Sequence, residues 1–360
     1  MKEMLTRTEC SAMRGIAILA IVLHNYCHFI GKIVKENEYQ FLDFNNDRLW
    51  QVLSNPSELL PVHLLSYFGH YGVPVFLFLS GFGLVRKYEC DASRTAGSIT
   101  FLRYHYLKLL RMLIVGFVLF LMVDAVTPGR FAFHWDNVIA QLLMYINVLP
   151  EPDKIIWPGI YWFFGLMMEL YIVYRLLLYR RSSWLVAALI IICWLLQVFC
   201  EPDGETLNRL RYNFIGGMLP FGMGICLGRF SLGQTPTLLR ANSQFAYGKL
   251  LVWLPLAILS CVLVFVMGYH FQSWLWIPVV IIVGCVAMVK AMPEWLLKVF
   301  VWFGSISAAM FVAHPIARKL FITVAWKQDI YDGLILYVVV TIALSWAVKQ
   351  IIDRIPSPKL

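Results

Sequence analysis

Two histidines four residues apart, His24 and His28, close the first apolar run of this chain. Residues i and i+4 share one face of a helix, so their imidazoles point to one surface. A neutral imidazole there can take a proton from a hydroxyl. The bland reading is a pair of interfacial histidines bonded to backbone carbonyls, and spacing alone leaves the two readings balanced. Such a pair also suits a metal ion, but the sequence shows no third ligand. No metal is therefore expected.

Other ionisable residues also stand inside apolar runs, where they are costly and mark function by default. Glu169 lies in the run Trp162–Tyr171 and needs a partner or a proton; it orients a histidine, binds substrate or ties two helices together. His314 precedes Pro315, with Arg318 one turn further on the same face. Asp124 falls near the outer end of its run. Lys108 and Arg111 are three apart, face the same way, and sit where an apolar run begins. Such a pair holds phosphate, although plain anchoring explains it too. Gly72, Gly81 and Gly83, with Ser80, give one run the small surface that lets helices approach closely.

These residues need elements to position them, and composition says which kind. Of 360 residues, 60% are hydrophobic and only 14% are charged, with a mean hydropathy of +0.70. Soluble domains carry about a quarter charged residues, so an ordinary soluble enzyme and a disordered chain are excluded. The 15% aromatic share suits interfacial belts. Eight cysteines include no CxxC pair, which removes the usual zinc and redox patterns. The net charge of +9 comes from basic residues flanking apolar runs, so nucleic-acid binding is not expected.

Ten runs are long enough to cross a bilayer as helices: 12–32, 66–85, 106–126, 159–179, 183–200, 212–229, 250–268, 272–292, 299–322 and 331–351. Placing the N-terminus inside puts 20 of the 30 Lys and Arg on the cytoplasmic side, the bias that sets orientation. That count includes Lys2, Arg94 and Arg240. The expected fold is an all-α integral membrane protein, a bundle of about ten transmembrane helices forming a single domain over residues 1–360. Both termini are cytoplasmic, and the two longest loops, 33–65 and 127–158, are external.

In order along the chain, several segments resemble the acyltransferase 3 family of membrane proteins. Arg14-Gly15-Ile16-Ala17-Ile18-Leu19 followed by His24 is similar to its first-helix motif. Gly72-Val73-Pro74-Val75-Phe76 through Ser80-Gly81-Phe82 is similar to its second. Lys108-Leu109-Leu110-Arg111 resembles the basic pair of its third helix, and Trp162, Glu169 and Tyr171 keep the spacing of its fourth. Phe303-Gly304-Ser305-Ile306-Ser307 through His314-Pro315 resembles its late motif. Two departures stand out. Nine residues separate Arg14 from His24 where the family usually has ten, so His28 remains a second candidate. Lysine also replaces the first arginine of the basic pair, losing the planar fork.

The resemblance implies transfer of an acyl group, by default acetyl, from cytoplasmic acetyl-CoA to a hydroxyl of an extracytoplasmic or lipid-linked carbohydrate. It implies a multi-pass protein of a bacterial inner membrane that modifies polysaccharide. By that analogy His24 is the catalytic histidine, acting as base or first accepting the acyl group. His28, Glu169 and His314 are further catalytic candidates. Arg14, Lys108 and Arg111 engage the donor, while Ser80, Trp162 and Tyr171 line the substrate path. The main alternative is a transporter or exporter without acyl transfer, since intramembrane His and Glu also suit proton coupling. No internal repeat of the transporter kind is visible.

Overall fold

Thr6 starts the first helix with a reciprocal cap. Its hydroxyl accepts from the Glu9 N–H at 3.1 Å, and the Glu9 carboxylate accepts from the Thr6 N–H at 2.8 Å. Two orphan donors are thereby satisfied. The computed structural model describes residues 4–90, 97–233, 246–327 and 329–359. Lys2, Arg94 and Arg240, which entered the orientation count, lie outside the described residues.

The chain runs α1 (Arg7–Cys27), α2 (Asp43–Ser54), α3 (Leu60–Phe68), α4 (Gly72–Tyr88), α5 (Ser98–Val126), α6 (Trp135–Leu142) and α7 (Trp162–Val173). There follow α8 (Ser183–Val198), α9 (Glu205–Tyr212), α10 (Phe214–Gly233), α11 (Ala246–Met267), α12 (Phe271–Trp274), α13 (Ile277–Ala291), α14 (Glu294–Lys327) and α15 (Ile330–Arg354). Among the described residues every regular element is helical, as the continuous apolar runs require.

Among the described residues, eight stretches are long and apolar enough to span a bilayer: α1, Leu60–Tyr88, α5, Gly159–Leu178, Phe214–Leu232, Leu250–Met267, Glu294–Val324 and α15. The other two expected spans are the shorter apolar helices α8, of 16 residues, and α13, of 15. At 1.5 Å per residue they rise roughly 22–24 Å, short of the roughly 30 Å hydrocarbon core. Several helices also outrun their apolar runs. α5 begins at Ser98 and carries Lys108 and Arg111 inside it, and α14 continues through Pro315.

α1 is central. It packs along α14, α3 and α4, and glycines bring it against α14. A Cβ at Gly15 would lie 2.0 Å from the Phe300 carbonyl oxygen, and one at Gly304 would lie 1.9 Å from that of Ser11. Only glycine permits that backbone approach. The outer faces of α5, α11 and α15 expose Met122, Leu251 and Val339, a surface suited to lipid and not to water. Trp135, Trp184 and Trp295 are also exposed, in keeping with interfacial aromatic belts.

Candidate active site

The geometry around His24 begins with a glycine. At the α3–α4 junction, a Cβ on Gly69 would lie 2.6 Å from both the Ala20 carbonyl oxygen and the His24 Cβ. That close approach puts the end of α3 against α1. The Ser66 carbonyl then accepts from His24 Nδ1–H at 2.7 Å. One ring nitrogen is fixed as donor, which leaves Nε2 with its lone pair. His24 is 6% exposed.

Past α1 the chain folds back over this end of the helix. The Val34 N–H donates to His63 Nδ1 at 3.1 Å, and Ser66 Oγ donates to the Val34 carbonyl at 2.7 Å. Asn37 is the knot of the loop. Its Oδ1 accepts from the Leu42 N–H and from Asn45 Nδ2, and its carbonyl accepts from Trp274 Nε1. The fold-back delivers Glu36 to the histidines. Its carboxylate accepts from His28 Nδ1 at 2.7 Å and stands 3.9 Å from His24 Nε2. The Glu36 and His24 side chains are 8% and 7% exposed, while that of His28 is 32% exposed. His24 is therefore the enclosed member of the pair and His28 the one nearer the mouth.

These groups line a cavity of about 410 Å³ that also includes His70, Trp157, Trp162 and Arg318. Its walls come from both long loops and from α1, α7, α9 and α14. The carboxylates of Glu36, Glu38, Glu151, Asp153 and Glu205 face two cations, Lys154 and Arg318. Both cations are engaged. Lys154 pairs with Glu151 at 2.5 Å. Arg318 donates to Asn25 Oδ1 at 3.1 Å and lies 3.9 Å from the centre of the Phe29 ring. Glu205 in turn pairs with Arg209 at 2.6 Å, so the cavity is rich in carboxyl groups, several of them already paired, and is walled by aromatic rings.

The two loop carboxyls Glu36 and Glu38 are driven apart. Burial alone would raise Glu36, but the facing His24 and His28 imidazoles outweigh it and hold the carboxyl below the ordinary range. Burial, reinforced by the Glu36 charge, pushes Glu38 well above it. Tyr39 and Arg211 act against that rise without cancelling it.

The remaining sequence candidates fall into separate places. Trp162 joins His24 and His28 at the cavity. His314 is fully buried and donates through Nδ1 to the Met310 carbonyl at 3.0 Å within its own helix. Glu169 accepts from the Phe214 N–H at 2.8 Å. It therefore caps the start of α10, where unpaired N–H groups favour an anion; neither it nor His314 lines the cavity. Ser80, half-buried on α4, does not line it either. Asp124 is buried and paired with Lys319 at 2.7 Å.

A second polar cluster gathers near the starts of α1 and α5. Lys108 lies in the field of Lys87, Tyr104, Arg14 and Arg111. Lys87 donates to Tyr104 Oη at 3.1 Å, and the Tyr171 ring meets that of His105 at a 44° tilt with ring centres 4.2 Å apart. Arg111 donates to the Ile355 carbonyl at 3.0 Å and to Ser357 Oγ at 2.8 Å. The basic pair is thus divided: Lys108 is exposed, while Arg111 partly holds the chain after α15.

Sequence reasoning missed Glu36 and His70. Glu36 sits in a polar loop with no periodicity, and only its return to His28 gives it meaning. His70 stands two residues before Gly72 of the Gly72-Val73-Pro74 motif, and that nearness is the signal that points to it.

A family model described as an acyltransferase domain matches residues 9–349, nearly the whole chain. No curated protein and no solved structure matches this chain.

Proposed function

This chain belongs to the acyltransferase 3 family, and from that premise we propose that it is a membrane-embedded O-acyltransferase with His24 as its general base. The carrying observation is the polarised imidazole. Nδ1–H is committed to the Ser66 carbonyl, and Nε2 faces a cavity with Glu36 3.9 Å away. In the proposed step, Nε2 takes the acceptor hydroxyl proton as the oxygen attacks the thioester carbonyl. The tetrahedral intermediate collapses with loss of the coenzyme thiolate, and the imidazolium returns a proton to that sulfur. Glu36 stabilises the imidazolium while it exists, and His28 orients Glu36.

The donor is acetyl-CoA, taken from the cytoplasmic side by the cluster of Arg14, Lys108 and Arg111. The acceptor is a hydroxyl-bearing carbohydrate that enters the carboxyl-lined cavity from the other face. Aromatic walls suit a sugar face, and carboxylates suit its hydroxyls. Lys154 is already paired with Glu151 and Arg318 is held by the neutral Asn25 and Phe29, so a neutral acceptor asks least of the charges that line the cavity. Membership of the family and this cavity together support modification of a neutral polysaccharide or lipid-linked sugar in a bacterial inner membrane, carried out by one domain.

The test pairs two readouts on His24→Ala. Transfer of labelled acetyl to a neutral oligosaccharide such as maltotriose is expected to fall about 10²–10⁴-fold, the usual worth of a positioned base. Acetyl-CoA binding by calorimetry is expected to persist. Wild-type transfer rates in a variant that still binds donor would remove His24 from the chemistry.

A further inference from the structure

We propose that His24, His28 and Glu36, with His70 as fourth donor, form a binding site for a divalent transition-metal ion of the zinc and cobalt class. One ligand atom from each of His24, His28 and Glu36 lies within 4.8 Å of the other two. A tetrahedral site with bonds of about 2.0–2.1 Å sets its donors roughly 3.3 Å apart, so the three close by at most about 1.5 Å on binding. His28 Nδ1 and Glu36 already share a proton across 2.7 Å. A metal ion takes the place of that proton and releases it, as metal binding at imidazole and carboxylate does.

His70 supplies the independent observation. It is 4% exposed, lines the same cavity, and its ring centre is 5.8 Å from that of His24. Its Nδ1–H donates to the Tyr67 carbonyl at 3.0 Å, and its Nε2 is buried without a hydrogen-bond partner. His24 shows the same arrangement, with Nδ1–H on the Ser66 carbonyl. A histidine that gives one ring N–H to a backbone carbonyl presents the other nitrogen as a ligand, the pattern found around bound metals. Three imidazoles and one carboxylate select zinc or cobalt over calcium or magnesium, which prefer all-oxygen sites. If His24 is the general base, which rests on the acyl-transfer reading, the ion occupies the base's lone pair. Metal binding and acyl transfer then exclude one another.

The experiment uses the full chain purified in detergent and titrated with Co²⁺, reading the visible absorption of four-coordinate cobalt and the stoichiometry by equilibrium dialysis. One ion per chain is expected, displaced by Zn²⁺. Glu36→Gln and His70→Phe, each checked for an unchanged melting curve, are expected to weaken binding by roughly tenfold or more. Should either variant fail to fold, Zn²⁺ protection of His24 and His28 from diethyl pyrocarbonate in the wild-type chain, read by peptide mass spectrometry, serves instead. Absence of saturable cobalt binding, equal affinity in folded variants, or absence of zinc protection overturns the site. Acetyl transfer is assayed separately, on chain freed of metal with EDTA, and again with Zn²⁺ added. Cobalt binding without transfer activity keeps the site and removes the transferase reading, while metal-insensitive transfer without cobalt binding does the reverse.

Discussion

Glu36 and Glu38 are two residues apart and respond to pH in opposite senses. Glu36 has a folded-state pKa below its unfolded value, so its stabilisation is present above the unfolded value and is lost as pH falls. With an ordinary glutamate near about 4.3, that loss begins at about pH 4.3 and continues downward. Glu38 has a raised folded-state pKa, so its favourable state is fully present below about pH 4.3 and is lost as pH rises toward the raised value. Two melting series follow. Glu36→Gln should melt below wild type at neutral pH, with the gap closing on acidification below about 4.3. Glu38→Gln should gain on wild type as pH rises above that point. Parallel pH profiles for both variants would show that the two carboxyls share one environment. At this scale the sequence was half legible. His24 and His28 announced themselves by spacing inside an apolar run. Glu36 did not, because its role comes from a loop returning eight residues later, and a return path leaves no periodic mark. Glu169 was visible as a buried acid, yet its partner, the Phe214 N–H, is a backbone group that no side-chain pattern reveals.

At the scale of elements, the helices were legible because bilayer thickness converts directly into run length. Their ends were less so. α5 starts eight residues before its expected span, because a helix does not stop where the polar Ser98, Thr100, Arg103 and His105 interrupt the hydropathy of the run. The loops were read only as long and external, whereas they supply nine of the 25 residues that line the cavity. Asn37 is what gives the first of them a fixed shape: it is 1% exposed and bonds to Leu42, Asn45, Asn46 and Trp274. Asn37→Ala strips its side-chain bonds and leaves the Leu42 N–H and the Asn45 amide short of partners, a loss of about 1–3 kcal/mol for each buried group left unsatisfied. The expected outcome is a lower melting temperature, faster proteolysis within 28–42, and acyl transfer that falls while acetyl-CoA binding holds, because the proposed donor cluster of Arg14, Lys108 and Arg111 lies on other elements. Proteolysis matching wild type would mean that the loop is held by its other contacts, those of Val34 and Arg211.

Helix α1 links a basic region to the carboxyl-lined cavity. Arg14 and His24 are ten residues apart on α1, about 15 Å along the axis, which is roughly half the hydrocarbon thickness of about 30 Å. Basic groups gather near one end of that path and a carboxylate-rich cavity surrounds the other. A donor whose phosphates stay at the basic end must therefore send its acyl group along an extended arm to reach His24. An acceptor in the cavity then never needs to cross. This separation predicts sidedness. In sealed proteoliposomes, labelled acetyl-CoA added outside should acetylate maltotriose trapped inside, through those molecules whose basic end faces outward. Donor and acceptor placed together on the outside should react far less, and detergent should make the two arrangements equal. Efficient transfer with both reactants on one side of an intact membrane would mean that donor and acceptor share a mouth, and the cluster of Arg14 and Lys108 would then lose its assignment as the donor entrance.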